Sequence, residues 1–332
     1  MIYLIDNFKI YGGQEKYALF LKDFLNIRER TLLYTLSNNL SKKNFYKKHK
    51  LQLLDIKKFL SILRDSKSKI ILNGYHSHLL SLIFFLFHKK NKIYLVHHLH
   101  FSQLGGDFNF LKKLAFKISS ILILKLPYLH VFVSESQKHR SRNEKGIVIK
   151  NYCLDKKFSQ EKTLENCFVW AARLDKQKDP ITLIKGWEIF NKQNNYKFKL
   201  FIYGAGPLEV EILRYIKNKK LNIKFKGYID DPLRFHQDNY FISTSLYEGC
   251  SLSLLEAISN NMRIICTKIS ENIEVCGKNA IYFESQDSKS LCRALSDSIN
   301  FKYKKNNPYY LKQFKEYSLE NFKKNWLNLI YD

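Results

Sequence analysis

Tyr247-Glu248-Gly249-Cys250-Ser251-Leu252-Ser253-Leu254-Leu255-Glu256-Ala257 reads as a turn opening an apolar helix, with one carboxylate on either side of the helix start. Gly249 permits a tight turn. The helix is expected to begin near Ser251, so the N–H groups around Gly249, Cys250, Ser251 and Leu252 are free to meet a ligand anion. Glu248 falls in the loop and Glu256 lies about a turn and a half into the helix. The two carboxylates therefore reach different parts of one ligand. A solvated helix residue is the plainer reading of Glu256, but its place within Leu254-Leu255-Glu256-Ala257-Ile258 argues for a reason to hold a charge there.

Working outward, short apolar runs flank this unit at Tyr240–Ser243 and Arg263–Cys266, and the same rhythm extends along the chain. Further strands are expected at Cys167–Ala171, Lys199–Tyr203, Ile223–Lys226 and Ala280–Phe283, with helices at Pro180–Asn191, Leu208–Lys217, Leu252–Ser259 and Ser288–Asn300. In the first half, strands are expected at Ile2–Ile5, Thr31–Leu36, Leu51–Leu54, Lys69–Leu72, Ile93–His97, His130–Val133 and Ile147–Ile149. Helices there are Gln14–Leu25, Ile56–Arg64, Leu79–Phe87 and Leu111–Leu124, each read as the covering helix of a crossover. The fold class is α/β: two Rossmann-like halves joined near residue 160, with a ligand cleft expected between them. A last helix is expected at Ser318–Ile330, behind a Ser cap.

Composition narrows the class. The chain has 332 residues, with 5 Pro and 12 Gly, too few for a collagen-like, low-complexity or turn-rich all-β protein. Its six cysteines form no C-x-x-C pair, and no signal-peptide pattern opens the chain, which predicts a reduced, cytosolic protein. The longest apolar run, Leu79 to Phe87, is far short of the ~20 residues a membrane span needs. Lys+Arg number 56 against 30 Asp+Glu, a net +26. Much of this fits a Lys-, Asn- and Ile-rich composition, yet residues 1–155 hold +17 of it.

Other segments carry chemistry. In Trp170-Ala171-Ala172-Arg173-Leu174-Asp175-Lys176-Gln177-Lys178-Asp179-Pro180, a strand runs into a helix, and Arg173 and Lys178 are placed to turn toward one anion. A planar fork and a point charge together suit a diphosphate. Gly12-Gly13, after the first strand, is either an anion-binding loop or an ordinary tight turn. Tyr203-Gly204-Ala205-Gly206-Pro207 is read as a structural turn, since Glu209 and Glu211 follow it. No G-x-G-x-x-G follows the first strand and no phosphate-binding P-loop occurs, so dinucleotide oxidoreductases and P-loop NTPases lose their support. His76, His78, His97, His98 and His100 raise a zinc reading, which the opposed directions expected of His97 and His98 disfavour.

These residues together resemble the family-4 retaining glycosyltransferases of the GT-B fold, most densely over residues 147–285. The resemblance implies domains at 1–155 (acceptor side) and 156–315 (nucleotide-sugar side), with 316–332 a helix crossing back to the first. It matches Arg173 and Lys178 to the family's diphosphate-binding pair. Glu248 and Glu256 match its E-x7-E motif, the first addressing the donor sugar and the second the ribose. His97 matches a histidine near the reacting sugar, Gly12-Gly13 the glycine loop near the donor phosphates, and Phe225-Lys226-Gly227-Tyr228 a further donor-side segment.

Two departures stand out: Ser251 and Ser253 where the family often has Gly and Pro, and Asp179 where Gly usually follows the Lys. No D-x-D triplet is present, so no metal is expected, the cations taking over that role. The implied reaction moves a sugar from a nucleoside diphosphate sugar (UDP-sugar favoured) with retention, and requires no further cofactor. The expected acceptor is a bacterial surface glycan or glycolipid such as a lipopolysaccharide or capsule. Lys42, Lys43, Lys47, Lys48, Lys112 and Lys113 would dock the enzyme peripherally on the anionic inner face of the cytoplasmic membrane. The alternatives are a nucleoside-diphosphate-sugar epimerase of the same fold, or a basic nucleic-acid-binding protein. The second leaves Glu248, Glu256 and Arg173 unexplained, so no nucleic-acid partner is expected.

Overall fold

The computed structural model describes residues 1–8, 13–37, 49–87, 92–100, 103, 110–153, 167–195, 197–236, 238–300 and 315–332. The chain divides into two compact units, Met1–Asn151 and Tyr152–Asp332.

The first unit is built on parallel strands β1 (Ile2–Asp6), β2 (Thr31–Thr35), β3 (Gln52–Leu53), β4 (Lys69–Asn73), β5 (Lys92–His97), β6 (Leu129–Phe132) and β7 (Ile147–Val148), in the order β3-β2-β1-β4-β5-β6-β7. Central strands of a covered parallel sheet are buried on both faces, which is why Ile2–Asp6 is apolar almost throughout rather than alternating. Its helices are α1 (Gly13–Leu25), α2 (Ile56–Arg64), α3 (Tyr75–Phe87), α4 (Phe110–Lys125) and α5 (Glu135–Ser141). Ile5, Ile70, Leu72, Phe84, Ile93 and Leu95 form the centre of its core.

In the second unit the strands are β8 (Cys167–Ala171), β9 (Lys199–Tyr203), β10 (Ile223–Phe225), β11 (Tyr240–Ser243), β12 (Arg263–Thr267) and β13 (Ala280–Phe283), ordered β10-β9-β8-β11-β12-β13 and all parallel. Helices α6 (Pro180–Gln193), α7 (Glu209–Asn218), α8 (Leu252–Ser259), α9 (Ser270–Cys276), α10 (Ser288–Asn300) and α11 (Leu319–Tyr331) accompany them. An aromatic core surrounds Phe168, whose ring stacks on Tyr240 at 4.5 Å and meets Trp187 edge-on at 5.4 Å. Ser318 caps α11 by accepting from Asn321 N at 3.2 Å, and Phe322 packs on Tyr152 at 4.7 Å.

Every expected strand is present, and the differences from expectation concern helices. α3 starts at Tyr75 rather than Leu79, because Ser77 satisfies itself on the Asn73 carbonyl at 2.8 Å and His78 on that of Leu72 at 3.1 Å. Polar residues thus fill a buried first turn. The seven-residue helices α5 and α9 were not expected, having no sustained apolar period. All six cysteines are buried, and none forms a disulfide. Among the described residues, no helix is long and apolar enough to cross a membrane. Of the lysines expected to dock on a membrane, Lys42, Lys43, Lys47 and Lys48 lie outside the described residues.

Candidate active site at the strand ends of the second sheet

β8 and β11 lie side by side, yet the chain leaves β8 toward β9, reaches β10 at that edge and crosses back to β11. Ligands of open α/β sheets bind at such a reversal, outside the carboxyl ends of the strands. The loops leaving β8 and β11 carry the residues singled out above.

Asp175 organises the first loop: its Oδ1 accepts from Lys178 N at 3.1 Å, and its other oxygen pairs with Arg173 Nε. Asp179 takes left-handed backbone (φ 44°) and caps α6 by accepting from Thr182 N at 3.1 Å. That explains the departure at this position. A residue there must tolerate positive φ, as Gly and Asp do, and Asp adds a cap. Asp179 therefore acts as a helix cap.

Threads of hydrogen bonds join this loop to the one after β11. Leu246 N donates to the Gln177 carbonyl at 2.8 Å, and Gln177 Nε2 to that of Tyr247 at 3.0 Å. Thr244 Oγ1 receives Trp170 Nε1 at 3.0 Å and donates to the Lys178 carbonyl at 2.7 Å. The result brings Lys178 Nζ within 2.5 Å of Glu248 Oε1, with side chains only 19% and 7% exposed. Arg173 and Lys178 are therefore each oriented by a carboxylate, rather than both standing open toward one anion. Both keep donors in reserve, since an ammonium has three N–H bonds and a guanidinium five.

The loop after β9 braces this loop from the other side. Leu174 N donates to Ala205 O at 3.0 Å and Leu208 N to Leu174 O at 3.0 Å. Gly204, at φ 137°, is so close to the neighbouring chain that a Cβ would lie 1.8 Å from the Ala172 carbonyl oxygen. Gly206 would meet the Leu174 oxygen at 2.4 Å. The glycine turn is structural, as expected, and what it supports is the Arg173 loop.

α8 begins as expected: Ser251 accepts from Leu254 N at 3.3 Å, with Gly249, Cys250 and Ser251 buried around the turn. Leu252, Ser253, Glu256 and Ser259 are half-buried while Leu254, Leu255, Ala257 and Ile258 are buried, so Glu256 belongs to the helix's outward side. Tyr228, beyond β10, is 58% exposed and donates to Asp230 Oδ1 at 2.6 Å.

His97 and Gly13 belong to the first unit. Gly13 opens α1; Gly12 lies outside the described residues. Here the order of strands reverses between β1 and β4, and a network fills that point. Asp6 accepts from Asn73 Nδ2 (2.9 Å), Gln14 Nε2 (2.5 Å) and Asn7 N (2.6 Å). Burial pushes its carboxyl up to about 8, outweighing those donors. Asn73 Oδ1 in turn meets His98 Nε2 at 2.9 Å.

His97, at the end of β5, instead meets His130 Nδ1 through Nε2 at 2.9 Å. His130 Nε2 lies 3.3 Å from the Leu126 carbonyl and must donate there, so we assign the bridging proton to His97 Nε2. The Nδ1 of His97 is then its acceptor. Burial and neighbouring imidazoles hold His97 well below the usual histidine range, so it is neutral near pH 7. With His97 on His130 and His98 on Asn73, the two rings address different partners. A cavity of about 200 Å³ in this unit is lined by Gln14, His78, His97, His98, His100 and Phe116.

This burial has a measurable consequence. His78 and His98 are held near about 3, and His100 and His236 near about 4, chiefly by desolvation. Depressed folded-state values mean that the unfolded chain takes up these protons first, below about 6.5. Stability is therefore expected to fall as pH drops from about 6.5 toward 4, by about 1.4 kcal/mol per pH unit for each such histidine. Asp6 acts oppositely, but as one group against several. Urea midpoints at pH 7.5 and 5 check this; equal midpoints would contradict it.

Residues 154–315, just under half of the chain, match the family model described as glycosyl transferases group 1. The chain is 26% identical over 264 residues to the poly(ribitol-phosphate) alpha-N-acetylglucosaminyltransferase of Staphylococcus aureus (strain COL), covering 73% of this chain and 50% of that protein. It is 27% identical over 248 residues to the S. aureus capsular polysaccharide biosynthesis glycosyltransferase CapH, covering 67% of each. The crystal structure of Anabaena HepE in complex with UDP superposes with a TM-score of 0.75 over 99% of both chains at 15% identity. The fold is GT-B. This chain spans half the length of the first of these relatives.

In GT-B terms, the Lys178–Glu248 pair, the Arg173 loop and the α8 start all sit in the second Rossmann-like domain, while His97 and Gly13 sit in the first. Sequence reasoning missed Asp175, Gln177 and Thr244, which place the cations, and the Asp6–Asn73 and His97–His130 contacts. Only Asp6 carries a local signal, a carboxylate ending the apolar strand Ile2-Tyr3-Leu4-Ile5.

Proposed function

We propose that the protein is a glycosyltransferase of family 4 that moves a sugar from a UDP-sugar to a bacterial surface-glycan acceptor, with retention at the anomeric carbon. The observation that carries this reading is the meeting of Lys178 and Glu248 at the β8/β11 reversal, beside the start of α8. The named activities of the S. aureus relatives and the UDP bound by HepE support the donor and acceptor classes.

As the bond to the diphosphate breaks, negative charge grows on the leaving oxygen. The spare N–H groups of Arg173 and Lys178, with those at the α8 start, offset it without reorganising. The acceptor hydroxyl oxygen bonds to the anomeric carbon on the face the diphosphate leaves, and its proton passes to the departing phosphate oxygen. Glu248 holds the sugar in register while keeping Lys178 extended. His97, neutral and with Nδ1 as acceptor, orients a hydroxyl and carries no charge. The fixed cations stand where other glycosyltransferases use a metal, so turnover proceeds without one.

Glu256 is assigned to the nucleotide ribose. Glu256→Ala should weaken UDP binding roughly ten- to hundredfold, the worth of a charge-assisted hydrogen bond of about 1.5–3 kcal/mol. Because the carboxylate sits on the outward side of α8, the fold should survive. Calorimetry showing unchanged affinity in a folded variant would reject the assignment.

A further inference from the structure

Asp6 ends β1, Asn73 ends the adjoining β4, and His98 follows β5, the next strand of the sheet. Asp6 Oδ1 already accepts twice, from Gln14 Nε2 and Asn7 N, while Oδ2 accepts once, from Asn73 Nδ2 at 2.9 Å. The other end of the same amide, Asn73 Oδ1, meets His98 Nε2 at 2.9 Å. Asp6 and Asn73 are 0% exposed, so their hydrogen bonds are made within this network.

Two arrangements satisfy the row Asp6–Asn73–His98. With Asp6 ionised, the amide N–H donates to Oδ2, the amide oxygen faces His98, and His98 carries its proton on Nε2. With Asp6 protonated, Oδ2–H needs an acceptor. Asn7 N is a donor, and Gln14 Nε2 is also held by the Asn73 carbonyl at 3.4 Å. The Asn73 amide supplies the acceptor by turning over, which points its N–H at His98 Nε2. His98 then gives up Nε2–H and gains Nδ1–H, so it holds one proton throughout and Asp6 alone gains one. Burial keeps this imidazole neutral, holding it down at about 3. Glu15 of α1 is the further charge facing Asp6, and its repulsion favours the protonated carboxyl. Around His98, Tyr17 of α1 meets the ring edge-on at 4.9 Å, while His78 of α3 and His97 of β5 are held low and neutral.

We propose that Asp6 is a positioning residue: through Asn73 it decides which nitrogen of His98 carries the proton, and so which hydrogen bond His98 offers to a hydroxyl in the cavity it lines. Among the described residues, His98 Nδ1 has no hydrogen-bond partner. That nitrogen accepts while Asp6 is ionised and donates once Asp6 is protonated. His97, lining the same cavity, presents a fixed acceptor in its Nδ1. A hydroxyl has one proton to give, so one that donates to His97 is held by His98 only when His98 donates. The protonated form of Asp6 is therefore the binding form. The coupling between Asp6 and His98 stands apart from glycosyl transfer; taking the hydroxyl as one of the sugar acceptor's rests on that reading.

Nitrogen-15 NMR of the histidine side chains in the full chain tests this, with His98→Gln identifying the His98 signals. In the wild-type protein Nδ1 should be the protonated nitrogen well below the Asp6 titration, which lies at about 8, and Nε2 well above it. Asp6→Asn carries a permanent N–H donor there and should hold the Nδ1–H form on both sides of that midpoint. In sugar transfer, the wild-type acceptor KM should rise about tenfold across the titration, the worth of one hydrogen bond, while kcat moves far less; in Asp6→Asn it should stay flat. Wild-type His98 protonated on Nε2 throughout would overturn the proposal, and that measurement needs no variant of Asp6 to fold. Nε2–H in folded Asp6→Asn would overturn it as well, and a flat acceptor KM in active wild-type enzyme would overturn the link to the hydroxyl. A protein that shows the change at His98 but transfers no sugar bears out the coupling and counts against the glycosyl-transfer reading alone.

Discussion

Lys178→Ala is expected to lower kcat by ~10²–10³ while raising the donor KM far less. The reason is that a fixed cation matters most when charge has moved onto the leaving diphosphate. Arg173→Ala should act the same way, and both variants, like the parent, should turn over equally in EDTA. The pair adds a complication, because removing Lys178 takes a cation away from a nearly buried carboxylate on Glu248. Breaking a buried pair costs about 3–5 kcal/mol in general, enough to confuse a lost fold with lost chemistry. K178M/E248Q removes both charges and keeps the volume. If this folded double variant kept wild-type kcat, or if activity required added Mg²⁺ or Mn²⁺, the electrostatic role of Lys178 would be refuted.

Gly204→Ala should destabilise the second unit by about 3 kcal/mol or more. The added Cβ would sit 1.8 Å from a backbone oxygen, Ala172 O, which is not a side chain that can swing away. Gly227 supplies the control. It also has positive φ (66°), but nothing lies within 4 Å of its Cβ position, so Gly227→Ala should cost only the backbone strain of about 1–2 kcal/mol. Urea unfolding of the two variants compares them directly. Equal losses would mean that backbone conformation, and not the clash, makes Gly204 irreplaceable.

Strand positions were legible because each apolar run ends at a polar residue or glycine; Cys167–Ala171, Lys199–Tyr203, Tyr240–Ser243 and Ala280–Phe283 agree with expectation at both ends. The short helices were not, since Glu135–Ser141 is all polar and relies on the Ser134 cap. Arg173, Lys178 and Glu248 were legible as loop charges beside strand ends. What places them was not: Thr244 and Gln177 act through backbone partners some 70 positions away, a pairing with no local pattern.

Asp179 bears on how a ligand is met. Its cap on Thr182 N, the Asp175 turn, and the bonds from Leu246 and to Ala205 shape residues 173–179 before any ligand arrives. A glycine at 179 would leave that segment many conformations to give up on binding, whereas this chain gives up few. Nucleotide capture should accordingly show a single kinetic phase, with an association rate that falls as ionic strength rises and no slow rearrangement after the encounter.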